Sequence, residues 1–236
     1  MQLKRLLVNP VSALVLAACA VSVSAIAHAD TIAWTNWSTA TSGTPGSAAG
    51  TIGSINVAYS GQTSGLTNVP SWTPASTFTG GVVGNAPPHT PTIQLEGGSG
   101  IAETISFSST VIDPIFAIWS LGAPGTPASF DFSSKSGQQF NLLGGGPSTE
   151  FAGSALTSTG SIVRGSEGNG LVQFIGSFDS ITFTTPNFEN YYAFTVGYDA
   201  TLTPPPPSVP EPATLSLFGL GLSAIPLIRR SLSRRS

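Results

Sequence analysis

Short runs in which apolar and polar residues alternate recur between residues 30 and 203, and this period of two constrains the fold most. Clear examples are residues 105–108, Ile-Ser-Phe-Ser, and residues 181–184, Ile-Thr-Phe-Thr. A strand that buries only one of its faces requires such alternation. The run Ile115–Leu121 instead begins with five consecutive apolar residues, which predicts a central strand covered on both faces.

The predicted strands are short, and turn-forming residues separate them. Runs of strand length cover residues 51–59, 104–107, 115–121, 128–132, 139–143, 161–164, 170–176, 180–185 and 191–200. The chain contains 27 glycines and 19 prolines, which favour turns because glycine adopts positive φ and proline fixes φ. We therefore predict that residues 30–203 form an all-β extracellular domain, an antiparallel β-sandwich of jelly-roll-like topology.

Charged residues are segregated between the middle and the ends of the chain. Only two basic residues, Lys135 and Arg164, lie between residues 30 and 208, against ten acidic residues, so this segment has a net charge of −8. Such a domain cannot neutralise a run of phosphates, which argues against nucleic acid as a partner. Neutral glycans and cations remain compatible with this charge.

Residues 1–29 are typical of a secretory signal peptide, which we expect to be an N-terminal signal helix removed by signal peptidase. Two basic residues precede an apolar stretch. The stretch ends in Ala27-His28-Ala29, where Ala27 and Ala29 form the small-x-small pattern of a cleavage site. This pattern predicts that the mature chain begins at Asp30.

An alternative processing site lies inside the same segment. Residues 16–19, Leu-Ala-Ala-Cys, resemble the lipobox of bacterial lipoproteins, which would lead to lipidation of Cys19. Because the apolar stretch continues well past Cys19, ordinary cleavage is favoured. Cys19 is also the only cysteine, so residues 30–203 have neither a disulfide nor a thiolate metal site.

The C-terminal end consists of a linker, an apolar segment and a basic end. Residues 204–208 contain four consecutive prolines and predict a semi-rigid linker. Residues 213–228 are uncharged and predict a transmembrane helix of about 24 Å, shorter than the hydrocarbon core of about 30 Å. A cytoplasmic anchor of four arginines follows: Arg229, Arg230, Arg234 and Arg235. The short helix is more typical of a temporary anchor than of a permanent one.

Residues 209–236 resemble a known sorting signal. Pro210, Glu211 and Pro212, followed by a short apolar helix and an arginine-rich end, are similar to the PEP-CTERM signal of exported proteins from Gram-negative bacteria, often those that make exopolysaccharide. The resemblance implies an inner-membrane intermediate in which an exosortase recognises these three residues and cuts near them. The product would reach the cell surface or the extracellular medium. Similar tails are also labelled as the C-terminal domain of ice-binding proteins.

Residues suited to catalysis or metal binding are sparse. His89 is the only histidine between residues 30 and 203, and one histidine in a loop builds neither a histidine-rich zinc site nor a triad without partners. The acidic residues are scattered, so we predict no catalytic residue, no cofactor and no metal site. Glu167, Asn169 and Asp199 are the candidates for calcium ligands, against a default role in turns and solvation.

The four tryptophans are the candidates for contact with sugar rings. Trp119 lies in the most apolar run and is predicted to be part of the core. Trp34, Trp37 and Trp72 lie in surroundings rich in serine and threonine, where an exposed ring would stack on a sugar. Core packing is nevertheless the default for each of them.

Three functions are compatible with these features. The first is a non-enzymatic surface or matrix protein of a biofilm, with a structural, adhesive or glycan-contacting role and exopolysaccharide as its partner. The second is a secreted carboxylate-dependent hydrolase, which would need two buried acids facing each other in a cleft. The third is ice binding, which would need a flat, regular array of threonines that the irregular threonine spacing does not indicate.

Overall fold

The structure, a computed structural model, describes residues 29–202, which form an all-β domain. The strands are β1 (Ile32–Trp34), β2 (Asn36–Thr41), β3 (Gly43–Ile52), β4 (Ile55–Thr63), β5 (Gly65–Thr67), β6 (Thr92–Leu95), β7 (Glu103–Ile112), β8 (Ile115–Leu121), β9 (Ala128–Asp131), β10 (Phe140–Leu143), β11 (Ser154–Ala155), β12 (Thr157–Thr159), β13 (Ile162–Gly165), β14 (Gly168–Phe174), β15 (Ser177–Phe183) and β16 (Tyr192–Asp199). A single turn of 3-10 helix covers Ala75–Thr77. Within the described range no helix is long and apolar enough to cross a membrane.

The strands form three sheets. The largest has eight strands in the order β10-β14-β8-β16-β6-β5, with β1 added to β16 and β11 added to β14. A five-stranded sheet has the order β15-β7-β4-β3-β2, and a three-stranded sheet has the order β12-β13-β9. The pairs are antiparallel except for the short β11–β14 pair, which is parallel. The predicted all-β, antiparallel architecture is therefore confirmed.

The main core lies between the eight-stranded sheet and the two smaller sheets, in a β-sandwich-like arrangement. Phe116 and Phe194 come from the large sheet, and their rings stack at 5.3 Å. Phe183, from the five-stranded sheet, meets Phe194 edge to face at 5.8 Å. Phe130, from the three-stranded sheet, lies 5.1 Å from Phe183. Aromatic rings from all three sheets thus contact one another, and this packing aligns the sheets. The jelly-roll topology is not confirmed.

Strand β8 is central, as its apolar sequence predicts. All seven of its residues are buried. Phe116 and Ile118 point into the main core, whereas Ala117 and Trp119 point into a second apolar cluster on the other face of the large sheet. That cluster also contains residues of β1 and residues of the segment between β5 and β6, among them Trp72. A strand that contributes to two cores needs apolar residues at consecutive positions.

The prediction of one strand over residues 51–59 was wrong. The structure divides this run into β3 and β4, which form a hairpin in which Ile52 pairs with Ile55. The two-residue turn begins at Gly53, whose φ of 56° lies in the left-handed region. Glycine adopts this conformation without steric cost, and two-residue hairpin turns require it. The Gly-Ser dipeptide was therefore the turn signal.

The two ends of the described domain lie side by side. Strand β1 pairs antiparallel with β16, so that Ile32 stands opposite Asp199. Ala29, before β1, and Leu202, after β16, are both exposed. The predicted signal helix and the predicted transmembrane helix 213–228 lie outside the described residues.

Candidate functional site

Three glutamates lie on separate loops around the end of β8; we call Glu150, Glu167 and Glu189 the acidic end. Trp119 donates its indole N–H to Oε2 of Glu150 over 3.0 Å. The hydroxyl of Ser120 donates to Oε2 of Glu167. The loop before β16 adds Glu189, whose Oε1 accepts the backbone N–H of Tyr191 over 3.0 Å. Consecutive residues of the most buried strand therefore hold two of the three carboxylates.

An exposed ring borders the acidic end. The ring centroid of Phe151 lies 5.2 Å from that of Trp119, and 49% of Phe151 is exposed. Phe151 follows Glu150 directly, so the same loop presents a carboxylate and an aromatic face. This pairing of an apolar surface with hydrogen-bond acceptors suits contact with a hydroxyl-bearing ligand.

The surroundings shift the pKa values of Glu150 and Glu189 in opposite directions. Burial alone would raise the pKa of Glu150, but hydrogen bonds from Ser71 and Trp119 outweigh it and lower the pKa below its ordinary value. Burial raises the pKa of Glu189, and the charge of Glu167 adds to this rise against the backbone hydrogen bond from Tyr191. Oε2 of Glu189 is buried without a hydrogen-bond partner.

The acidic end does not have the form that a carboxylate-dependent hydrolase needs. Glu167 and Glu189 interact, but each is only half-buried and no described cavity contains both. Three cavities of about 380, 390 and 250 Å³ lie elsewhere on the domain, and the only carboxylate among their lining residues is that of Asp179. A glycosidase holds its two carboxylates on either side of a bound sugar, and the described cavities provide no such pair.

The calcium candidates are engaged in holding loops. Asn169 is fully buried; its Oδ1 accepts the backbone N–H of Ser120 over 2.8 Å, and its Nδ2 donates to carbonyls that include that of Ala152. Oδ1 of Asp199 accepts from the backbone and hydroxyl of Thr201. Among residues 29–202, no three His, Cys, Asp or Glu side chains are grouped as metal ligands.

The tryptophans are buried, which confirms core packing as their default role, and the alternative of exposed stacking platforms at Trp34, Trp37 and Trp72 was wrong. Their exposed fractions are 9%, 1% and 1%, and that of Trp119 is 0%, as predicted. Trp37 reaches across the sandwich and donates its indole N–H to Oγ1 of Thr195 over 3.1 Å. Ser38, beside Trp37 in β2, is exposed on the opposite face of that strand, whereas Thr35, beside Trp34, is itself buried. Trp72 lies in the segment between β5 and β6, outside any strand.

The outer face of the five-stranded sheet consists mainly of small uncharged residues, with Asp179 of the edge strand β15 as a charged member. It presents Asn36, Thr39, Thr41, Ser47, Ala49, Thr51, Asn56, Ala58, Ser60, Thr104, Ser106, Ser108, Ser180 and Thr182. The register aligns them in cross-strand rows, with strands about 4.8 Å apart. Strand β4 contributes no threonine to this face, so the rows are not a regular threonine array.

A carboxyl group without a counter-ion lies inside the sandwich at Glu103. This residue is 0% exposed, while the two basic side chains of residues 29–202, Lys135 and Arg164, are exposed. The hydroxyls of Thr185 and Tyr59 contact its two oxygens. Burial outweighs these hydrogen bonds and raises the pKa of Glu103 from 4.5 to about 7.

Proton counting agrees with a neutral Glu103. The single hydroxyl proton of Tyr59 faces two acceptors, Oε2 of Glu103 and the carbonyl of Gln62 at 2.5 Å. Both contacts become hydrogen bonds if Tyr59 donates to Gln62 while a protonated Glu103 donates to Tyr59. Glycine at position 61 makes room for this arrangement, because a Cβ there would lie 2.6 Å from the Tyr59 hydroxyl.

The remaining predicted site residues lie on loops or outside the described range. His89 is exposed, as predicted, and its Nε2 lies 2.7 Å from the carbonyl of Asn68. Ala29 is the first described residue and is exposed. The others lie outside residues 29–202: Cys19, Ala27, Pro210, Glu211, Pro212, Arg229, Arg230, Arg234 and Arg235.

Comparison with known proteins identifies the C-terminal tail. A family model, the PEP-CTERM protein-sorting motif, matches residues 208–235, which include Pro210, Glu211 and Pro212. No curated protein and no solved structure matches the chain, and the ice-binding label for the tail is not confirmed. Through residues 208–235 the chain carries a PEP-CTERM protein-sorting motif, which implies an exported cell-surface protein that is processed by an exosortase.

Proposed function

We propose that this chain is a Gram-negative surface or matrix protein whose β-domain contacts glycans without catalysing a reaction. The observation that carries the proposal is the sorting motif at residues 208–235, which follows the β-domain directly. Signal peptidase removes residues 1–29, the apolar segment holds an inner-membrane intermediate, and exosortase cleavage near Pro210, Glu211 and Pro212 releases the domain. Exopolysaccharide is the partner that such a location offers.

The arrangement of the domain ends supports this route. Because β1 pairs antiparallel with β16, the start of β1 and the end of β16 lie side by side. Strand β16 then runs for eight residues, or about 27 Å, between the tail and the loop that carries Glu189. The acidic end with its exposed Phe151 therefore lies at the opposite end of β16 from Leu202, the last described residue.

The two alternative functions receive less support. A hydrolase needs a carboxylate pair in a cleft, whereas the acids of the acidic end are half-buried and engaged by Trp119 and Ser120. Ice binding lacks a regular threonine array on the outer face of the five-stranded sheet.

Substitution in the motif tests the sorting step. We expect Glu211→Ala to remain uncut in the membrane fraction, because the motif loses its only carboxylate. The measurement is the mass and membrane partition of the chain in cells that contain an exosortase. Pro206→Ala, in the neighbouring linker, is the matched control and should be processed like the wild type. Normal processing of Glu211→Ala would contradict the assignment.

Glycan contact is tested separately with the host's own exopolysaccharide. We expect the exported protein to co-sediment with the isolated polymer and to bind neutral glycans on an array. The absence of binding to both would remove the glycan part of the proposal, while the sorting part would stand.

A further inference from the structure

We infer that a groove on both sides of Gln138 is the binding site for a segment of neutral polysaccharide. The inference rests on the proposed glycan contact and names the site and the sugar class. Two cavities of about 380 and 390 Å³ share Gln138 and Ile175 among their lining residues, so they adjoin each other. Each lies within the size range of ligand pockets, about 300–1,000 Å³. We call the pair the Gln138 groove.

The Gln138 groove forms where the three sheets have free edges. Strands β10, β12 and β15 are terminal in their sheets. The groove is lined by residues of β10, by the turn between β12 and β13, and by the start of β15. These elements come from separate parts of the chain, and each contributes residues to the wall of the groove. A chain-like ligand can therefore lie along the groove without displacing any of the described strands.

The first cavity has the lining that a sugar ring requires. Gln139 and Asn141 are exposed amides, each offering donors and an acceptor, and Ser161 adds a hydroxyl. Ile175, which is 43% exposed, and the half-buried Phe140 provide apolar surface. Sugar rings present hydroxyls at their edges and C–H groups on their faces, so amides and apolar side chains contact complementary parts of one ring.

The wall between the two cavities is held in place. Gln138 is only 8% exposed. Its Nε2 donates to the carbonyls of Phe132 and Thr182 over 3.1 and 2.7 Å, and its Oε1 accepts the backbone N–H of Thr182 over 2.8 Å. The backbone N–H of Ile175 donates to the carbonyl of Gln139 over 2.9 Å. A groove fixed in this way binds without a large ordering cost.

The charges in the groove favour a neutral ligand. The second cavity contains one cation and one anion, Lys135 and Asp179. Lys135 already donates to the hydroxyl of Ser180 over 3.2 Å, and Asp179 accepts from Thr110. No net charge remains in the groove to attract an acidic or a basic polymer. The surrounding domain has a net charge of −8, which repels acidic polysaccharides.

Two variants test the Gln138 groove. Asn141→Ala removes an exposed amide, and Ile175→Ser removes the exposed apolar surface; both positions are exposed, so folding should be retained. The probes are neutral glucans, galactans and mannans, with alginate as the acidic polymer. Binding to the full chain in detergent is measured by titration calorimetry. The double variant should bind the preferred neutral polymer about tenfold more weakly, from loss of a hydrogen bond and apolar contact.

Controls separate failure of this inference from failure of the proposed function. Asn36→Ala makes the same change on β2, the edge strand of the five-stranded sheet that lies opposite β15, and it should bind like the wild type. Gln139→Ala is a second groove variant. Neutral glycan binding that no groove variant weakens would overturn the site but leave the proposed function. Preference for alginate would overturn the sugar class. No glycan binding by the wild type, or binding only to an uncharged Gly-Ser peptide, would overturn the groove and the glycan part of the proposed function, while the sorting part would stand.

Discussion

Replacement of Glu103 by glutamine should remove a specific pH dependence from the stability of the domain. The amide introduced by Glu103→Gln would mimic the neutral carboxyl, because its NH₂ can donate to the Tyr59 oxygen while its carbonyl accepts from Thr185. It cannot ionise. The variant therefore keeps the hydrogen bonds of the protonated form at every pH.

The magnitude follows from the pKa of Glu103, which burial raises from 4.5 to about 7 in the folded state. Between these values the folded chain retains a proton that the unfolded chain has released. The free energy of unfolding thus falls as pH rises, by about 1.4 kcal/mol per pH unit and about 3 kcal/mol in total. Below about pH 4.5 the stabilisation from this proton is complete, and above about pH 7 it is lost.

The assay is urea unfolding of the full chain between pH 4 and pH 8, followed by tryptophan fluorescence. All four tryptophans lie within the described domain and are buried, so their emission reports its unfolding. At each pH, the difference between the free energies of unfolding of the variant and the wild type isolates the contribution of Glu103 from that of other groups such as Glu189. We expect the free energy of unfolding of the variant, relative to that of the wild type, to increase by about 3 kcal/mol between pH 4.5 and pH 7.

Glu96→Gln is the matched control, because it changes a half-buried glutamate whose carboxylate accepts from Ser64. It should keep the wild-type slope between pH 4.5 and pH 7. If Glu103→Gln also kept the wild-type dependence of stability on pH, Glu103 would be ionised in the folded state at neutral pH. The arrangement in which Glu103 donates to Tyr59 and Tyr59 donates to Gln62 would then be wrong.

Three other substitutions test separate parts of the account. Gly153→Ala should destabilise the domain by more than about 2 kcal/mol in urea unfolding, because φ is 85° and a Cβ would lie 1.8 Å from the carbonyl oxygen of Glu167. The control Gly125→Ala, with φ of 83° and no atom within 4 Å of the added Cβ, should cost only about 1 kcal/mol. Equal losses of stability in the two variants would contradict the close packing at Gly153. Trp119→Phe should cost about 2 kcal/mol or more, because it leaves a cavity and removes the donor to Glu150; an unchanged urea midpoint would count against this contact. Cys19→Ser should leave export unchanged, with no fatty-acid label on the wild type; label that disappears in the variant would establish lipidation instead.

The sequence predicted those parts of the fold that depend on local periodicity. Ile115–Leu121 was recognised as the central strand because two packed faces leave an uninterrupted apolar run. The β3–β4 hairpin was missed because Gly53 stands within a run that otherwise reads as continuous strand. The pairing of β1 with β16 joins opposite ends of the domain, and no local pattern signals it.

The candidate sites depend on contacts between distant residues, which the sequence does not display. Glu150 and Glu167 bind Trp119 and Ser120, and Glu189 lies near Glu167, because separate loops converge on the end of β8. The burial of Glu103 could have been predicted from the sequence. In β7 it alternates with Ile105 and Phe107, so all three side chains lie on the same inward face of the strand. A glutamate in that register is a buried carboxyl, and its partners come from other strands.

We infer that the tail is a sorting signal that is removed after export. Its most direct test is intact-mass and terminal-peptide analysis of the wild-type protein recovered from the cell surface and medium of an exosortase-containing Gram-negative host. We predict a chain that begins at Asp30 and ends near Pro210, Glu211 and Pro212, without residues 213–236. Surface protein that still contains the apolar segment and its four arginines would contradict the account.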